Sequence, residues 1–274
     1  MRSDDDVIER SAYDASNVTK TKIGGNRIAT RMLNGRSRHR GIGALAVSLN
    51  DSVAVSAQSL ERLFTRLRGV HTALISDVLD AQGHRVGVMD PAVRPLTVTR
   101  LVVGTAFTVA ASPIDEPEAV PYEKLLAAYR EVKAGDIMVI ATNGELRSAI
   151  WGELLTVAAK SRGAIGVVTD GLTRDIEQIR ALAFPLFARG ISPLDSAGRQ
   201  AVYAFAERIT CGGVDIEPGD VVAGDAMGVV VIPQGLAVET SRLVEEKLAA
   251  EDTVREELER GDDIADVFRR HGVL

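Results

Sequence analysis

The residues best suited to chemistry form two pairs, Gly152–Glu153 and Arg174–Asp175, with twenty residues between Glu153 and Arg174. Arg174 carries a permanent positive charge and a planar set of donors, which suits carboxylate or carbonyl oxygens. Asp175 offers an oxygen ligand of the kind that Mg²⁺ uses. Both stand where a helix is predicted to begin, and free N–H groups at a helix start favour anions. This combination indicates a crevice for a carboxylate-bearing substrate beside a metal ion.

The same residues also have a purely structural interpretation. Asp175 in the first turn of a helix would complement the helix dipole without any ligand. Arg174 could pair with Glu177 on the surface, and Glu153 would then be an ordinary helix residue. On local chemistry alone, this capping interpretation is the stronger of the two.

A predicted strand–helix–strand unit must position these residues. Short apolar runs over Ile137–Thr142 and Ala164–Thr169 suit strands that are buried on both faces. The apolar spacing between them predicts a helix over Arg147–Arg162, with Leu154 and Leu155 facing inward.

The ends of these two strands define where the crevice should lie. The first strand is followed by Asn143–Gly144 and the second by Asp170–Gly171, after which a helix is predicted through Leu182. Parallel strands bring their carboxyl ends to one edge of a sheet, where α/β proteins bind ligands. We therefore expect Asn143 and Asp170 to lie beside the candidate site.

The rest of the chain predicts helices first and a strand-rich part after the central unit. This order favours an α/β fold with a mixed sheet and two layers of strands. The further predicted helices cover residues 59–67, 72–81, 121–132, 237–259 and 263–270, and the further strands cover 101–111, 185–188, 201–211, 214–216, 221–222 and 229–232.

Composition excludes several functional classes. A net charge of −6 argues against a nucleic-acid-binding protein. Cys211 is the only cysteine, which excludes a disulfide framework and a cysteine-based zinc site. No apolar run reaches the roughly 18 residues of a membrane span, and the opening Met1–Asp6 lacks the apolar region of a secretory signal. We therefore expect a cytoplasmic protein without a membrane partner.

The first 55 residues differ from the rest in their charge pattern. Seven basic residues and no acidic one fall between Lys20 and Arg40. This pattern predicts a disordered basic tail over residues 1–55, with a targeting or nucleic-acid-binding arm as the alternative. One globular domain, which carries the candidate catalytic residues, is predicted over 56–274.

The spacing of Glu153, Arg174 and Asp175 resembles the acidic–x20–Arg-Asp signature of the RraA-like family, which includes the 4-hydroxy-4-methyl-2-oxoglutarate aldolases. These are class II pyruvate aldolases. The family often has Asp at the position of Glu153, although Glu is seen in the aldolase branch. The likeness covers about residues 60–265 and extends through further segments, namely His71–Asp80, Val88–Pro91, Pro218–Asp220 and Gly224–Pro233.

The resemblance implies a fold and a role for each site residue. The fold would be a layered α/β domain of the β/β/α swivelling type with C-terminal helices. The segment Gly152-Glu153-Leu154-Leu155 and Arg174 would hold the substrate, and Asp175 would bind Mg²⁺ or Mn²⁺. Glu153 would act through water on the metal. A metal on the 2-oxo and carboxylate oxygens of pyruvate stabilises its enolate.

The implied activity is that of a metal-dependent lyase. It would cleave a 4-hydroxy-2-oxo diacid such as 4-hydroxy-4-methyl-2-oxoglutarate to pyruvate, and decarboxylate oxaloacetate through the same enolate. The protein would form a homotrimer or a dimer of trimers. The loops Ser112–Pro121 and Arg189–Arg199 would select the tail of the substrate.

The alternative is a non-catalytic regulator of the RraA type, which binds an RNA-degrading endonuclease. Such regulators tend to lose the aspartate that follows the arginine. Asp175 is present here, which favours the enzyme.

Overall fold

The computed structural model describes residues 57–67, 69–97 and 100–273. The predicted basic tail, residues 1–55, lies outside this part of the chain. The helices are α1 (Ala57–Leu67), α2 (Thr72–Ala81), α3 (Glu123–Glu131), α4 (Glu153–Ser161), α5 (Ile176–Ala181), α6 (Gln234–Glu259) and α7 (Ile264–His271). The strands are β1 (Arg94–Pro95), β2 (Val102–Pro113), β3 (Asp136–Ala141), β4 (Ala149–Trp151), β5 (Gly166–Thr169), β6 (Leu172–Thr173), β7 (Leu186–Ala188), β8 (Gly190–Ile191), β9 (Gln200–Phe205), β10 (Ile209–Cys211), β11 (Val214–Ile216), β12 (Val221–Asp225) and β13 (Gly228–Ile232).

The main sheet is mixed and has eight strands. Its order is β1-β7-β5-β3-β2-β12-β13, and β9 also pairs with β2. The pairs β2–β3, β3–β5 and β5–β7 are parallel, whereas β1–β7, β2–β9, β2–β12 and β12–β13 are antiparallel. Strands β3 and β5 are buried along their whole length, and most of their residues are apolar because both faces of each strand are covered. The predicted mixed sheet and its two buried central strands are confirmed.

The main sheet curls until its two ends almost meet. Val88, just before β1, bridges to Val230 on β13, and the Arg94 side chain donates to the Met227 carbonyl at 2.9 Å. Across the interior, the Phe187 ring on β7 packs against Gly224 on β12. The inside of this curl is a cluster of buried apolar side chains, so the sheet encloses a packed core.

Helices cover the outside of the curled sheet in two groups. The helices α3, α4 and α5 pack over β2, β3, β5 and β7 in one apolar cluster. The helices α1, α2 and α6 pack over β12 and β13 in another. This arrangement is the layered α/β domain with C-terminal helices that the sequence predicted. Within the described residues, no helix is both long and apolar enough to cross a membrane.

Two predicted elements are wrong in their boundaries. The predicted helix over Arg147–Arg162 begins only at Glu153, and the residues before it form strand β4. An isoleucine and a tryptophan are buried in this strand, and β-branched and aromatic residues suit that conformation. Leu154 was predicted to face inward but is 77% exposed.

The predicted strand over 201–211 is two strands, β9 and β10. Ala206 between them has a left-handed backbone with φ of 54°, which an extended strand cannot contain. The chain therefore turns at Ala206. Strand β9 stays in the main sheet, and β10 pairs with β11.

Gly224→Ala should destabilise the fold because the new Cβ would stand 2.6 Å from the buried Phe187 ring. We expect a loss of about 1–3 kcal/mol in the free energy of unfolding, measured by urea denaturation. Gly235→Ala is the matched control, since nothing lies within 4 Å of its Cβ position. A Gly224→Ala protein as stable as the control would contradict this packing.

Candidate active site

A small parallel sheet of β4, β6 and β8 positions the candidate residues. The Arg174 N–H donates to the Trp151 carbonyl at 2.9 Å, and the Ser192 N–H donates to the Thr173 carbonyl at 2.9 Å. Because the three strands are parallel, the segments that follow them leave from one edge. Gly152, Arg174 and the loop that carries Asp195 meet there.

Asp175 caps helix α4 rather than its own helix. Its Oδ2 accepts the Glu153 N–H at 3.1 Å, whereas no side-chain hydrogen bond caps α5. The Asp175 backbone is left-handed, with φ of 55°, a conformation that costs energy outside glycine. The Asp175 carboxylate therefore does cap a helix, but the helix is α4 and not α5, in which the capping interpretation had placed it.

Arg174 lies between two carboxylates. Its Nε is 3.5 Å from Asp175 Oδ2 and its Nη1 is 3.5 Å from Asp195 Oδ1. The predicted pair with Glu177 does not form, because Glu177 pairs with Arg180. The Arg174 side chain remains 35% exposed, so its donors stay within reach of a ligand.

Gly152 leaves the space that Asp175 occupies. A Cβ on Gly152 would lie 2.7 Å from Asp175 Oδ2 and 3.2 Å from the Arg174 Cγ. The first turn of α4 is held in place by Thr156, whose hydroxyl donates to the Gly152 carbonyl and accepts the buried Trp151 Nε1–H at 2.8 Å. A larger residue at 152 would push the carboxylate away from the helix start.

These groups open into one cavity of about 230 Å³, here called the Arg174 cavity. Its volume suits a small organic acid. Arg174, Asp175 and Asp195 are the charged residues of its lining, and most of the other lining residues are apolar. The lining residues are Tyr122, Leu125, Leu126, Ala149, Ile150, Trp151, Gly152, Leu154, Leu155, Arg174, Asp175, Asp195 and Ser196.

Glu153 contributes its backbone rather than its carboxylate to this geometry. It is half-buried in the first turn of α4 and donates its N–H to Asp175. Its side chain lies outside the lining of the Arg174 cavity. A chemical role for the Glu153 carboxylate stays a prediction.

Three polar lining residues were not predicted individually. Asp195 and Ser196 belong to the loop Arg189–Arg199, which the sequence analysis named only as a source of selectivity. Tyr122 is the residue just before α3 and has a left-handed φ of 62°, and no motif marks it. Burial, and then the charge of Asp195, raise the pKa of Tyr122 above its ordinary value, so its hydroxyl stays protonated and able to donate.

Two residues expected beside the site lie elsewhere. Asn143 lines a different crevice, together with Tyr203 and Arg208. Asp170 is buried, and its Oδ1 accepts from both the Thr142 N–H at 2.6 Å and the Thr142 hydroxyl at 2.9 Å. The candidate site lies at the ends of β4, β6 and β8 rather than those of β3 and β5. Asp170 follows β5, and its hydrogen bonds to Thr142 connect the ends of β5 and β3 in the main sheet.

The fold and the candidate site together define a class of protein, an α/β domain with a curled mixed sheet and an arginine–aspartate pair at the start of a helix. The chain belongs to the RraA-like family: the family model described as "Aldolase/RraA" matches residues 72–231. This membership confirms the resemblance inferred from the spacing of Glu153, Arg174 and Asp175.

Relatives and solved structures agree with the family assignment. A provisionally named 4-hydroxy-4-methyl-2-oxoglutarate aldolase of Halalkalibacterium halodurans is 35% identical over 70% of this chain and 86% of its own length. An uncharacterized protein of Pseudomonas syringae pv. tomato has a TM-score of 0.66 at 28% identity, covering 76% of this chain and 96% of that one.

A third relative carries a different description. RraAS2 of Streptomyces coelicolor, described as an unusual member of the RNase ES inhibitor RraA protein family, has a TM-score of 0.64 at 27% identity. The match covers 72% of this chain and 98% of that one. The family therefore contains both aldolase names and inhibitor names.

Two substitutions of Asp175 should separate its structural contribution from its charge. Asp175→Asn keeps an acceptor for the Glu153 N–H and tolerates the left-handed backbone, so it should change the unfolding free energy by less than about 1 kcal/mol. Asp175→Ala loses both features and should cost about 1–3 kcal/mol. Urea denaturation of both variants measures the difference, and equal stabilities would contradict the capping of α4.

Proposed function

We propose that the protein is a divalent-metal-dependent carbon–carbon lyase that releases pyruvate from a 4-hydroxy-2-oxo acid. The diacid 4-hydroxy-4-methyl-2-oxoglutarate, from which relatives take their names, is the first aldol substrate to test. Oxaloacetate decarboxylation would proceed through the same enolate. The observation that carries the proposal is the convergence of Arg174 and Asp175 on the first turn of α4 inside one small cavity.

The residues of the cavity fit Mg²⁺ or Mn²⁺ bound with few protein ligands. No group of three or more His, Cys, Asp or Glu side chains arranged for a metal occurs in the described part of the chain. Mg²⁺ needs no such group, because it takes one or two carboxylates and keeps several waters. The Asp175 side chain is 38% exposed, so it can serve as that carboxylate. When bound, the cation would supply positive charge that stabilises an enolate oxygen.

Arg174 would hold the carboxylate of the substrate. Its two present partners are about one-third exposed or more, and ion pairs at such positions contribute little energy. A substrate carboxylate can therefore share the guanidinium without a large cost. The two aspartates would keep its donors pointing along the cavity and fix the reacting bond in position.

Cleavage breaks the bond between C3 and C4 of the substrate. The electron pair of that bond passes to the pyruvate enolate, the 4-hydroxyl loses its proton, and C4 becomes a carbonyl. The enolate then takes up a proton at C3. We assign the proton of the 4-hydroxyl to Glu153 acting through an intervening water, because Glu153 stands in the first turn of α4, which the Asp175 carboxylate caps.

The regulator alternative has less support. One solved structure carries an RNase ES inhibitor description, but a protein–protein inhibitor has no need of an arginine and a carboxylate turned into a small cavity. We also expect the protein to be cytoplasmic and to form a homotrimer or a dimer of trimers. Light scattering in solution would measure the mass of the assembly.

A coupled assay tests the proposed function. Purified protein with Mg²⁺ should form pyruvate from oxaloacetate and from 4-hydroxy-4-methyl-2-oxoglutarate, and EDTA should abolish the reaction. Arg174→Ala should lower kcat/KM by about 10²–10³-fold, as for the loss of an oxyanion donor. Arg255→Ala on α6, where the arginine pairs with Asp252, is the control and should be fully active.

Asp175→Asn gives a separate test of the metal site. The variant should fold like the parent protein yet lose both Mn²⁺ binding, measured by calorimetry, and metal-dependent turnover. Retained Mn²⁺ binding in a folded Asp175→Asn protein would remove Asp175 from the metal site.

A further inference from the structure

Cleavage of a 4-hydroxy-2-oxo acid requires two proton transfers, and Glu153 accounts for only one of them. It takes the proton of the 4-hydroxyl, whereas the pyruvate enolate must also receive a proton at C3. The group that delivers this second proton has to carry a hydrogen that it can give up, and it has to reach the Arg174 cavity. The polar side chains in the lining of that cavity are therefore the candidates.

Five of the polar side chains in the lining are unsuited to giving this proton. Arg174 does not lose its proton in proteins. Asp175 and Asp195 face Arg174 as carboxylates, each at 3.5 Å, and a carboxylate has no proton to give. The Trp151 Nε1–H is already donated to a threonine hydroxyl. Ser196 is buried, and its alcohol is a far weaker acid than a phenol.

Tyr122 is the remaining polar side chain of the lining. Within the described residues, the hydrogen bonds of Tyr122 involve only its backbone, so its hydroxyl is available to a ligand. Burial raises the pKa of its phenol, the charge of Asp195 raises it further, and the charge of Arg174 lowers it. Because both charges act on the hydroxyl, it lies in the neighbourhood of Arg174, the side chain that would hold the substrate.

The backbone of Tyr122 gives an independent reason to assign it a function. Its φ of 62° is left-handed, a conformation that a large aromatic residue rarely adopts. Two hydrogen bonds hold it there. The Tyr122 N–H donates to Glu118 Oε2 at 3.1 Å, and its carbonyl accepts the Leu126 N–H at 2.8 Å. Strained residues held in this way concentrate at functional sites.

We propose that Tyr122 is a catalytic residue that donates its hydroxyl proton to C3 of the pyruvate enolate. This inference rests on the proposed lyase function. The O–H bond of Tyr122 breaks, and its proton forms the third C–H bond of the pyruvate methyl group with the electron pair of the enolate. The tyrosinate then takes a proton from water, and no oxidant or reductant is needed. A phenol, with an ordinary pKa of about 10, is more acidic than the methyl group of a 2-oxo acid, so the transfer is favourable.

Hydrogen exchange at pyruvate tests the assignment, because the reverse of the proposed step removes a hydrogen from the methyl group. With Mg²⁺ in D₂O, the protein should exchange the methyl hydrogens of pyruvate, a reaction followed by proton NMR. Tyr122→Phe should slow this exchange by about 10²–10⁴-fold, the usual effect of losing a general acid–base group. Consumption of oxaloacetate should fall much less, because its carbon–carbon bond breaks before the proton is delivered.

The ratio of the exchange rate to the oxaloacetate consumption rate separates a chemical role from a structural one. A structural defect would slow both reactions in the same proportion, whereas loss of the proton donor should lower the ratio at least about tenfold. Tyr203→Phe on β9 is the matched control, since Tyr203 is 50% exposed and lies outside the Arg174 cavity. Its two rates should equal those of the parent protein. An unchanged ratio in Tyr122→Phe would overturn the proposal.

Oxalate gives a second readout that does not depend on turnover. This planar dianion has the shape of the pyruvate enolate, with an oxygen at the position of C3. With Mg²⁺ present, calorimetry should show that Tyr122→Phe raises the dissociation constant of oxalate at least about tenfold, the effect of losing one hydrogen bond to a charged group. Tyr203→Phe should bind oxalate like the parent protein, and an equal affinity in Tyr122→Phe would contradict a donor at C3.

The outcomes separate this inference from the proposed function. If the parent protein with Mg²⁺ neither consumes oxaloacetate nor exchanges the hydrogens of pyruvate, the lyase proposal fails, and Tyr122 has no enolate to protonate. If the parent protein does both and Tyr122→Phe keeps its ratio, only the assignment of Tyr122 fails. If oxalate binding weakens while the ratio stays unchanged, the hydroxyl contacts an oxygen of the substrate rather than C3, and the assignment is again overturned.

Discussion

The hydrogen bond from the Glu153 N–H to the Asp175 carboxylate is the interaction on which the candidate site depends. It joins the start of α4 to the segment that follows β6, and it fixes a carboxylate at the positive end of a helix. The left-handed backbone of Asp175 and the missing side chain at Gly152 are both needed for this contact. The strained backbone of Asp175 is thereby retained at the position of the proposed metal ligand.

Arg174 is held by the same arrangement. Two aspartates from different loops flank its guanidinium, each at 3.5 Å, and the side chain stays partly exposed. Weak, solvent-accessible pairs orient the donors without satisfying them. Arg174 is therefore oriented by its neighbours while its donors stay open to the cavity, whose lining also includes leucines of α3 and α4.

Strand order explains why the site lies where it does. The sequence analysis placed the crevice at the ends of the central strands β3 and β5, but those ends are occupied by Asp170 and its bonds to Thr142. The small parallel sheet β4-β6-β8 forms its own edge beside them. The candidate site still lies at the carboxyl ends of parallel strands, where α/β proteins bind ligands, but these strands are shorter ones that the apolar pattern did not reveal.

The sequence by itself determined the long apolar strands, the helices with a clear apolar face, and the spacing of Glu153, Arg174 and Asp175 that marks the family. Those features are local patterns. Buried residues recur along a helix or a strand with the period of that element, so the sequence shows them directly. Only the tertiary structure decided that Asp175 caps α4, that Asp195 reaches Arg174, and that exposed leucines share their cavity. Strands of two or three residues have no period to read, and contacts between distant segments depend on how those strands align.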